Sequence, residues 1–331
     1  MDKETIHPEG MVDADGDGAP PAPEDYTALR RLATNPEYRL VVSFGGGAIA
    51  GVCGNIALAS LLEELELRQQ IAEIWGTSAG AIVGGCWASG TDAATMREIL
   101  LSAPAGESVD VCYRSLIASL VFRPLGRPLP DGLVRGKRFE RTIDTGLRVK
   151  DFESCPTPFR CIACSDDGQH RRKVFRKGSL LPAIRASMSL PGILEPAPPL
   201  DGDDCGFYDG ALVEKTPLIS PIAEHLRAGD DRKLLLLATH FSGQERGIPA
   251  RGFIHRFVQS IHAMEEALWE YQLKEARRHS SDMVNVVLLN PHIEEPGLFD
   301  LRHAPEHYRH ARRDFMGKLR DGCFALTFGV D

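Results

Sequence analysis

Apolar residues in the first half of the sequence form short continuous runs that alternate with helix-spaced stripes. Leu40–Phe44 is largely apolar throughout, which is typical of a strand buried on both faces of a parallel sheet. After three glycines, leucines and isoleucines recur with helical spacing through Ile56–Leu67 and predict a helix with one buried face. A second short strand, Glu73–Trp75, precedes a small-residue helix at Ala81–Ala88. This order predicts a parallel sheet wrapped by helices.

The second half of the chain continues the pattern of strands. Phe159–Ser165 alternates as a strand does, and an Asp-Asp-Gly turn leads into Arg171–Phe175, so the two predict a hairpin. Leu234–Thr239 and Met283–Leu289 are further strand-like runs.

Two apolar segments allow more than one interpretation. Between the last two strands a helix-spaced stripe predicts simple core packing; its members are Phe253, Phe257, Ile261, Met264, Leu268 and Tyr271. Ser115–Phe122 precedes a proline-rich loop and suits either a core helix or a cap that lines an acyl-chain groove.

Residues 1–37 differ from the rest in composition. They are rich in Asp, Pro, Ala and Gly, and nine acidic against three basic residues give them −6 of the net charge of −8. We expect a disordered acidic leader at 1–37 and one folded domain over 38–331 with a helical C-terminal extension. Asp13–Gly18 has the carboxylate spacing of a calcium loop, but no amphipathic helices flank it, which favours a solvated tail.

Charge and cysteine usage exclude several classes of function. Because the body is nearly neutral, nucleic acid is not an expected partner. The eight cysteines are scattered, and the single C-x-x-C pair, Cys161 and Cys164, lies in a strand-like context without a second pair at zinc spacing. We therefore expect no metal site and no cofactor.

Two uncharged stretches are long enough to raise the question of membrane spans. Leu40–Leu62 and Ile74–Thr91 are, however, interrupted by glycines that suit buried strand–loop–helix units better. The N-terminus lacks the basic and apolar regions of a secretory signal. The sequence thus predicts a cytoplasmic protein without a transmembrane segment.

Ser78 is the first candidate catalytic residue. It lies between Gly76 and Gly80 in a G-x-S-x-G pattern, after a strand-like run and before a helix. This is the setting of a nucleophile elbow, in which a strained turn exposes a serine hydroxyl. A tight packing corner that accepts only small residues would give the same spacing.

A serine nucleophile also needs oxyanion donors and a base. Gly45–Gly47 follows a strand and precedes a helix, so its N–H groups suit an oxyanion. The loop lacks the residue spacings of a P-loop and of a dinucleotide-binding site.

Two residues are candidates for the base. His240, just after a strand, is the best-placed histidine for a triad. Asp209 is the other candidate base, since partial burial would raise its proton affinity, although its position alone favours a simple Asp-Gly turn.

Four segments together resemble the patatin-like phospholipases: SFGGGAIAG, GTSAGAIVGG, AIRASMSLPGILEPA and DGALVEKTPL, in that order between about Arg39 and Ile219. The resemblance implies a three-layer α/β/α sandwich with a central, mostly parallel sheet and a Ser–Asp dyad without histidine. It implies Ser78 as nucleophile, Asp209 as base, and the backbone of Gly45, Gly46 and Gly47 as oxyanion donors. Ala79 N–H, directly after the nucleophile, is a further candidate donor.

The implied activity is hydrolysis of fatty-acyl esters of lipids or phospholipids at a membrane surface, with peripheral contact. One departure from the family is that Ala48–Gly51 carries no arginine or lysine after the glycine triplet. This favours the broader class of lipid acyl hydrolase over phospholipase. The alternatives are a triad esterase or thioesterase, an acyltransferase that uses the same residues, and a non-catalytic lipid-binding protein.

Overall fold

The computed structural model describes residues 21–101, 132–200, 202–242, 253–279, 281–293 and 303–328. The strands in these ranges are β1 Tyr38–Phe44, β2 Ile71–Thr77, β3 Gly132–Val134, β4 Phe159–Ser165, β5 Arg172–Phe175, β6 Gly192–Leu194, β7 Phe207–Asp209, β8 Lys233–Thr239 and β9 Val284–Leu289. The α-helices in them are α1 Thr27–Thr34, α2 Ala48–Glu64, α3 Ala79–Ala88, α4 Ala93–Leu101, α5 Lys137–Gly146, α6 Leu180–Ser187, α7 Ala211–Glu214, α8 Ile219–Ala228, α9 Phe253–Arg278 and α10 Ala304–Leu319.

Seven of the strands form one mixed sheet that is mostly parallel. Its order is β5–β4–β2–β1–β8–β9, and β7 pairs with the last residues of β4. Strands β4, β2, β1, β8 and β9 run parallel, whereas β5 and β7 run antiparallel to β4. β3 and β6 form a separate parallel pair. Because the central strands are parallel, the loops after their carboxyl ends meet at one edge of the sheet, where sites in such folds are found.

The sheet separates two apolar cores because successive side chains of a strand point to opposite faces. Leu40, Val42 and Phe44 of β1 contribute to the core beneath α2, α3 and α10, whereas Val41 contributes to the core beneath α8 and α9. β8 divides its leucines in the same way. The predicted three-layer α/β/α sandwich is confirmed.

Most of the elements predicted from apolar patterns are present, with bounds that differ by a few residues. The hairpin is confirmed as β4 and β5, and the later strands as β8 and β9. The first helix begins earlier than predicted, at Ala48 directly after the glycine triplet, and ends at Glu64, so Leu67 lies beyond it. Residues 1–20, which include Asp13–Gly18, lie outside the described residues, as does Ser115–Phe122.

The expectation of a disordered leader is wrong for residues 23–34. A short 3-10 helix and α1 occupy this segment, and Leu29 is fully buried in the first core. The N–H groups of Thr27 and Ala28 donate to the Asp321 carboxylate at 2.9 and 2.8 Å, so the C-terminal region caps α1. The acidic, proline-rich composition obscured a short amphipathic helix whose apolar residues complete the core.

The interpretation of the stripe along α9 as core packing is wrong in part. Met264 and Tyr271 are 62% and 64% exposed, although Ile261 is buried. The buried face instead includes Glu265 and Gln272, two polar residues. They are tolerated there because each has a polar partner, Lys215 for Glu265 and the Val213 carbonyl for Gln272. An apolar periodicity cannot reveal such partners.

The described helices include none with the length and apolar character that crossing a membrane requires.

Candidate active site

Ser78 lies in the turn between β2 and α3, in a backbone conformation that few residues adopt. Its φ and ψ are 54° and −119°, a positive-φ geometry that costs free energy and is found mainly at functional sites. The two flanking glycines make the turn possible. A Cβ on Gly80 would lie 1.9 Å from the Phe44 carbonyl oxygen, and one on Gly76 would lie 2.5 Å from the Gly80 carbonyl oxygen. The turn therefore has the geometry predicted for a nucleophile elbow.

Asp209 ends β7, which pairs antiparallel with β4 and thereby comes beside the end of β2. The Ser78 hydroxyl donates to Asp209 Oδ2 at 2.7 Å. The other carboxylate oxygen, Oδ1, accepts the Ala211 N–H at 2.8 Å. The structure thus brings together the two residues that the sequence predicted as nucleophile and base.

The last residue of α6 and the segment that follows it form hydrogen bonds with both Ser78 and Asp209. Ser187 Oγ accepts the N–H of Ser78 at 2.8 Å and donates to the Ile162 carbonyl at 2.5 Å. The carbonyl of Ser189 accepts the N–H of Asp209 at 2.9 Å. This serine-rich segment belongs to the third of the four motifs, and it connects the serine turn to the aspartate strand.

Burial raises the pKa of Asp209 to about 7, although hydrogen bonds from Ala211 and Ser78 act in the opposite direction. Nearby charges make smaller contributions: Glu265 raises this pKa and Lys215 lowers it. A carboxyl group with a pKa near neutrality can both accept and return a proton at physiological pH. Asp209 therefore has the properties of a general base.

The glycine triplet only partly fulfils its predicted role. Gly45 N–H donates to Thr239 Oγ1 at 2.9 Å, and Gly46 N–H donates to the Lys215 carbonyl at 2.8 Å. These two amides serve the structure of the loop and are not available to an oxyanion in this conformation, which corrects the expectation.

Gly47 and Ala79 line the pocket that contains Ser78 and Asp209. No acceptor for their N–H groups lies among the described residues. Both are at helix N-termini, Gly47 capping α2 and Ala79 opening α3, where free N–H groups and the helix dipole favour negative charge.

The pocket has an apolar part and a polar part. Its apolar lining comes from α2, α3, α5 and the chain around β6; the side chains are Ile49, Val52, Ile82, Phe139, Met188, Leu190 and Leu194. Its polar lining beyond the Ser–Asp pair consists of Lys215, His262 and Glu265. Such a cavity can take a molecule with one long apolar end and one polar end.

Lys215 and Glu265 form an ion pair within this lining. The Lys215 ammonium lies 3.1 Å from Glu265 Oε2 and 3.9 Å from Glu266 Oε1, and Lys215 and Glu265 are both buried. Neither residue was predicted from the sequence to have a role. Lys215 was part of a motif segment, and no sequence signal marked Glu265, because it lies on a helix interpreted by its apolar stripe.

His240 does not contact Ser78. Its Nδ1 shares a hydrogen bond of 2.9 Å with the Thr216 hydroxyl, and its ring stacks on Trp269 at a centroid distance of 3.8 Å. Burial and, to a smaller extent, the Lys215 charge lower the pKa of His240 to about 3. It is a neutral histidine of the core.

The described ranges contain no group of three or more His, Cys, Asp or Glu side chains that could hold a metal ion. Cys161 and Cys164 are buried, and burial raises the pKa of their thiols to about 12 and about 11. Thiols protonated at neutral pH are poor metal ligands.

Comparison with known proteins finds a matching family model and similar curated proteins. The family model for patatin-like phospholipase matches residues 42–222. A putative patatin-like phospholipase domain-containing protein of Caenorhabditis elegans is 29% identical over 197 residues, which cover 58% of this chain and 16% of that protein. Lysophospholipase NTE1 of Cryptococcus neoformans is 30% identical over 207 residues, covering 62% of this chain and 12% of that protein.

Among solved structures, VipD from Legionella pneumophila is similar with a TM-score of 0.40 and 14% identity, covering 84% of this chain and 67% of that one. The chain matches less than a fifth of the length of the two curated relatives. The family-model match, by contrast, covers more than half of the 331 residues. The chain belongs to the patatin-like phospholipase family.

Proposed function

We propose that this chain is a lipid acyl hydrolase that cleaves fatty-acyl esters of lipids or phospholipids through an acyl-enzyme on Ser78, with Asp209 as the base. The observation that carries the proposal is the 2.7 Å hydrogen bond between Ser78 and Asp209 in a strained turn at the wall of an apolar pocket.

In the first half of the reaction, Asp209 Oδ2 takes the hydroxyl proton as Ser78 Oγ attacks the ester carbonyl carbon. The N–H groups of Gly47 and Ala79 stabilise the resulting oxyanion. The tetrahedral intermediate collapses when Asp209 returns its proton to the alcohol oxygen and the carbon–oxygen bond breaks. The alcohol leaves, and the acyl group remains as an ester of Ser78.

In the second half, water attacks the acyl-Ser78 carbonyl and gives a proton to Asp209. The bond from carbon to Ser78 Oγ breaks, the proton passes from Asp209 to Ser78 Oγ, and the fatty acid leaves. One water is consumed, and the enzyme returns to its starting state. Because Asp209 must be ionised in each attack, we expect kcat/KM to rise with pH to a plateau, with a midpoint near 7.

The class of substrate follows from the two parts of the pocket and from the family. The apolar lining suits an acyl chain, and the polar residues line the same pocket as Ser78 and Asp209. Relatives are named as a putative patatin-like phospholipase domain-containing protein and as a lysophospholipase, which supports a lipid ester as substrate. We propose that the enzyme meets this substrate at a membrane surface through peripheral contact.

The test compares hydrolysis of p-nitrophenyl butyrate and labelling by a fluorophosphonate probe in matched variants. Ser78→Ala should abolish both. Asp209→Asn should lower kcat/KM by about 10²–10⁴-fold, the usual contribution of a general base. His262→Ala is the control, because His262 lines the same pocket and would be the base of a histidine-dependent esterase; we expect it to retain turnover.

Unchanged turnover in folded Asp209→Asn, or its loss in His262→Ala, would contradict the dyad. Mass spectrometry of products from mixed membrane lipids, with Ser78→Ala for comparison, then identifies the substrate. Acyl groups found on an alcohol acceptor would reassign the chain as an acyltransferase. A wild-type protein that the probe does not label would favour a non-catalytic lipid-binding role.

A further inference from the structure

Lys215 and Glu265 form a buried ion pair beside Ser78 and Asp209, and this ion pair has no role in the proposed mechanism. Lys215 and Glu265 are only 4% and 6% exposed, their charged atoms are 3.1 Å apart, and both line the pocket that contains Ser78 and Asp209. Lys215 directly follows α7, the short helix after Asp209, whereas Glu265 comes from the middle of α9. Two distant segments of the chain therefore place opposite charges at the wall of the site.

Stability alone is a weak explanation for this pair. Removing two charges from water costs about as much free energy as their attraction returns, so apolar residues of similar volume often serve equally well. The α9 helix has other contacts with the same region. Trp269 stacks on His240, and Gln272 Nε2 donates to the carbonyl of Val213 in α7 at 2.7 Å. The pair between Lys215 and Glu265 therefore places two charges where other contacts already attach α9 to the rest of the molecule.

We infer that Lys215 and Glu265 are positioning residues that act through Asp209: Lys215 favours its ionised form, Glu265 opposes it, and their balance shifts the pH range in which Ser78 can be activated. This inference rests on the proposed function, in which Asp209 is the base. The directions follow from Coulomb's law, because a nearby cation stabilises a carboxylate and a nearby anion destabilises it. The directions in which the two groups move the pKa of Asp209 agree.

Among the titratable groups around Asp209, Lys215 and Glu265 are the main charges that a substitution can remove. On β4, the thiols of Cys161 and Cys164 are neutral because burial raises their pKa values. After β8, His240 is neutral because burial lowers its pKa to about 3. On α9, His262 lines the pocket, and Glu266, which is partly exposed, lies 3.9 Å from the Lys215 ammonium.

The experiment compares three variants of the full chain. Glu265→Gln removes the anion but keeps an oxygen that can accept from Lys215, so the protein should fold. The double variant Lys215→Met, Glu265→Gln removes both charges without leaving either one buried and unpaired. Glu270→Gln makes the same acid-to-amide change at an exposed position of α9 and is the control.

Two readouts are used. One is the infrared titration of the Asp209 carboxyl band, assigned by its loss in Asp209→Asn; the other is the pH midpoint of kcat/KM for p-nitrophenyl butyrate. We expect Glu265→Gln to lower both midpoints by about half a pH unit or more. The double variant should move them back up, and Glu270→Gln should leave them at the wild-type value.

This reversal of sign is the result that a merely structural pair would not produce. Midpoints that stay unchanged in Glu265→Gln, or that do not rise again in the double variant, overturn the inference. If the double variant does not fold, the direction of the Glu265→Gln shift against Glu270→Gln still decides. The infrared titration does not depend on turnover, so absence of hydrolysis in the wild type would count against the proposed function and not against the coupling of the three charges.

Discussion

Two buried carboxylates at either end of the short helix α7 have opposite environments. Glu214 is fully buried, and it accepts the N–H groups of Leu218 and Ser220, the Ser220 hydroxyl and, at 2.7 Å, the Arg172 guanidinium. Asp209 is 3% exposed and, within the part of the chain that the structure describes, accepts two bonds, from the Ala211 N–H and the Ser78 hydroxyl. No guanidinium or ammonium group of the described residues lies within ion-pairing distance of Asp209.

The difference separates a carboxylate that supports the structure from one that can move a proton. Four donors, one of them the Arg172 guanidinium, bind the Glu214 carboxylate. The main-chain carbonyl of Glu214 also accepts the hydroxyl of Thr77, the residue before Ser78, at 2.9 Å. Asp209 is left under-solvated, so burial raises its pKa to about 7. Loss of charge at the two positions should therefore have opposite effects on stability.

The largest effect is expected for Asp209→Asn. The folded pKa of about 7 lies above the ordinary value of 3.8, so the folded state binds this proton more tightly than the unfolded state does. The resulting contribution to the free energy of unfolding is fully present below pH 4 and is lost as pH rises through 7. The amide side chain of the Asp209→Asn variant does not ionise, so the variant keeps its stability as pH rises. Its free energy of unfolding should exceed that of the wild type by an amount that grows by about 1.4 kcal/mol per pH unit and levels off at about 4 kcal/mol above pH 7.

Urea unfolding at several pH values measures this difference. A gap between variant and wild type that is constant from pH 4 to pH 9 would mean that Asp209 does not titrate abnormally, and the contrast with Glu214 would disappear.

The same chemical change at the other carboxylate, Glu214→Gln, should destabilise the protein. The amide nitrogen would face N–H and O–H donors, and Arg172 would lose its anion, at an expected cost of about 2–3 kcal/mol. Urea unfolding at pH 8 in parallel with Asp209→Asn compares the two directly. Stabilisation by both substitutions would show that burial alone, and not the number of donors, governs these sites.

A smaller effect is expected for Ser187→Ala, which removes the acceptor of the Ser78 N–H. The strained turn would lose one of its restraints, and we expect kcat/KM for p-nitrophenyl butyrate to fall about 10-fold, since small displacements at a nucleophile are costly. Ser189→Ala is the matched control, because the Asp209 N–H is held by its main-chain carbonyl, which alanine retains. Equal losses in the two variants would indicate general damage to the segment instead of a role for the Ser187 hydroxyl.

Sequence patterns predicted the part of the molecule that follows from periodicity and local geometry. The central strands and the elbow at Ser78 were accessible because apolar runs and glycine spacing are local signals. Lys215 and Glu265 were not, because their pairing depends on a contact between α9 and the end of α7 that no local pattern encodes. The role of Gly46 was missed for the same reason: its N–H is bonded to the Lys215 carbonyl, which lies far along the chain.

The smallest predicted effect concerns two neighbouring residues of α9. An acidic side chain is ordinarily exposed and a methionine side chain buried, but here the two are reversed. Glu265 is buried because it has Lys215 as a partner, whereas Met264 is 62% exposed. Met264→Ala should therefore change the free energy of unfolding by less than about 0.5 kcal/mol. The core-packing interpretation of the stripe requires a loss of about 2–5 kcal/mol for the same substitution. Urea unfolding distinguishes the two, and a large loss would mean that the apolar stripe contacts the core at Met264 as well as at Ile261.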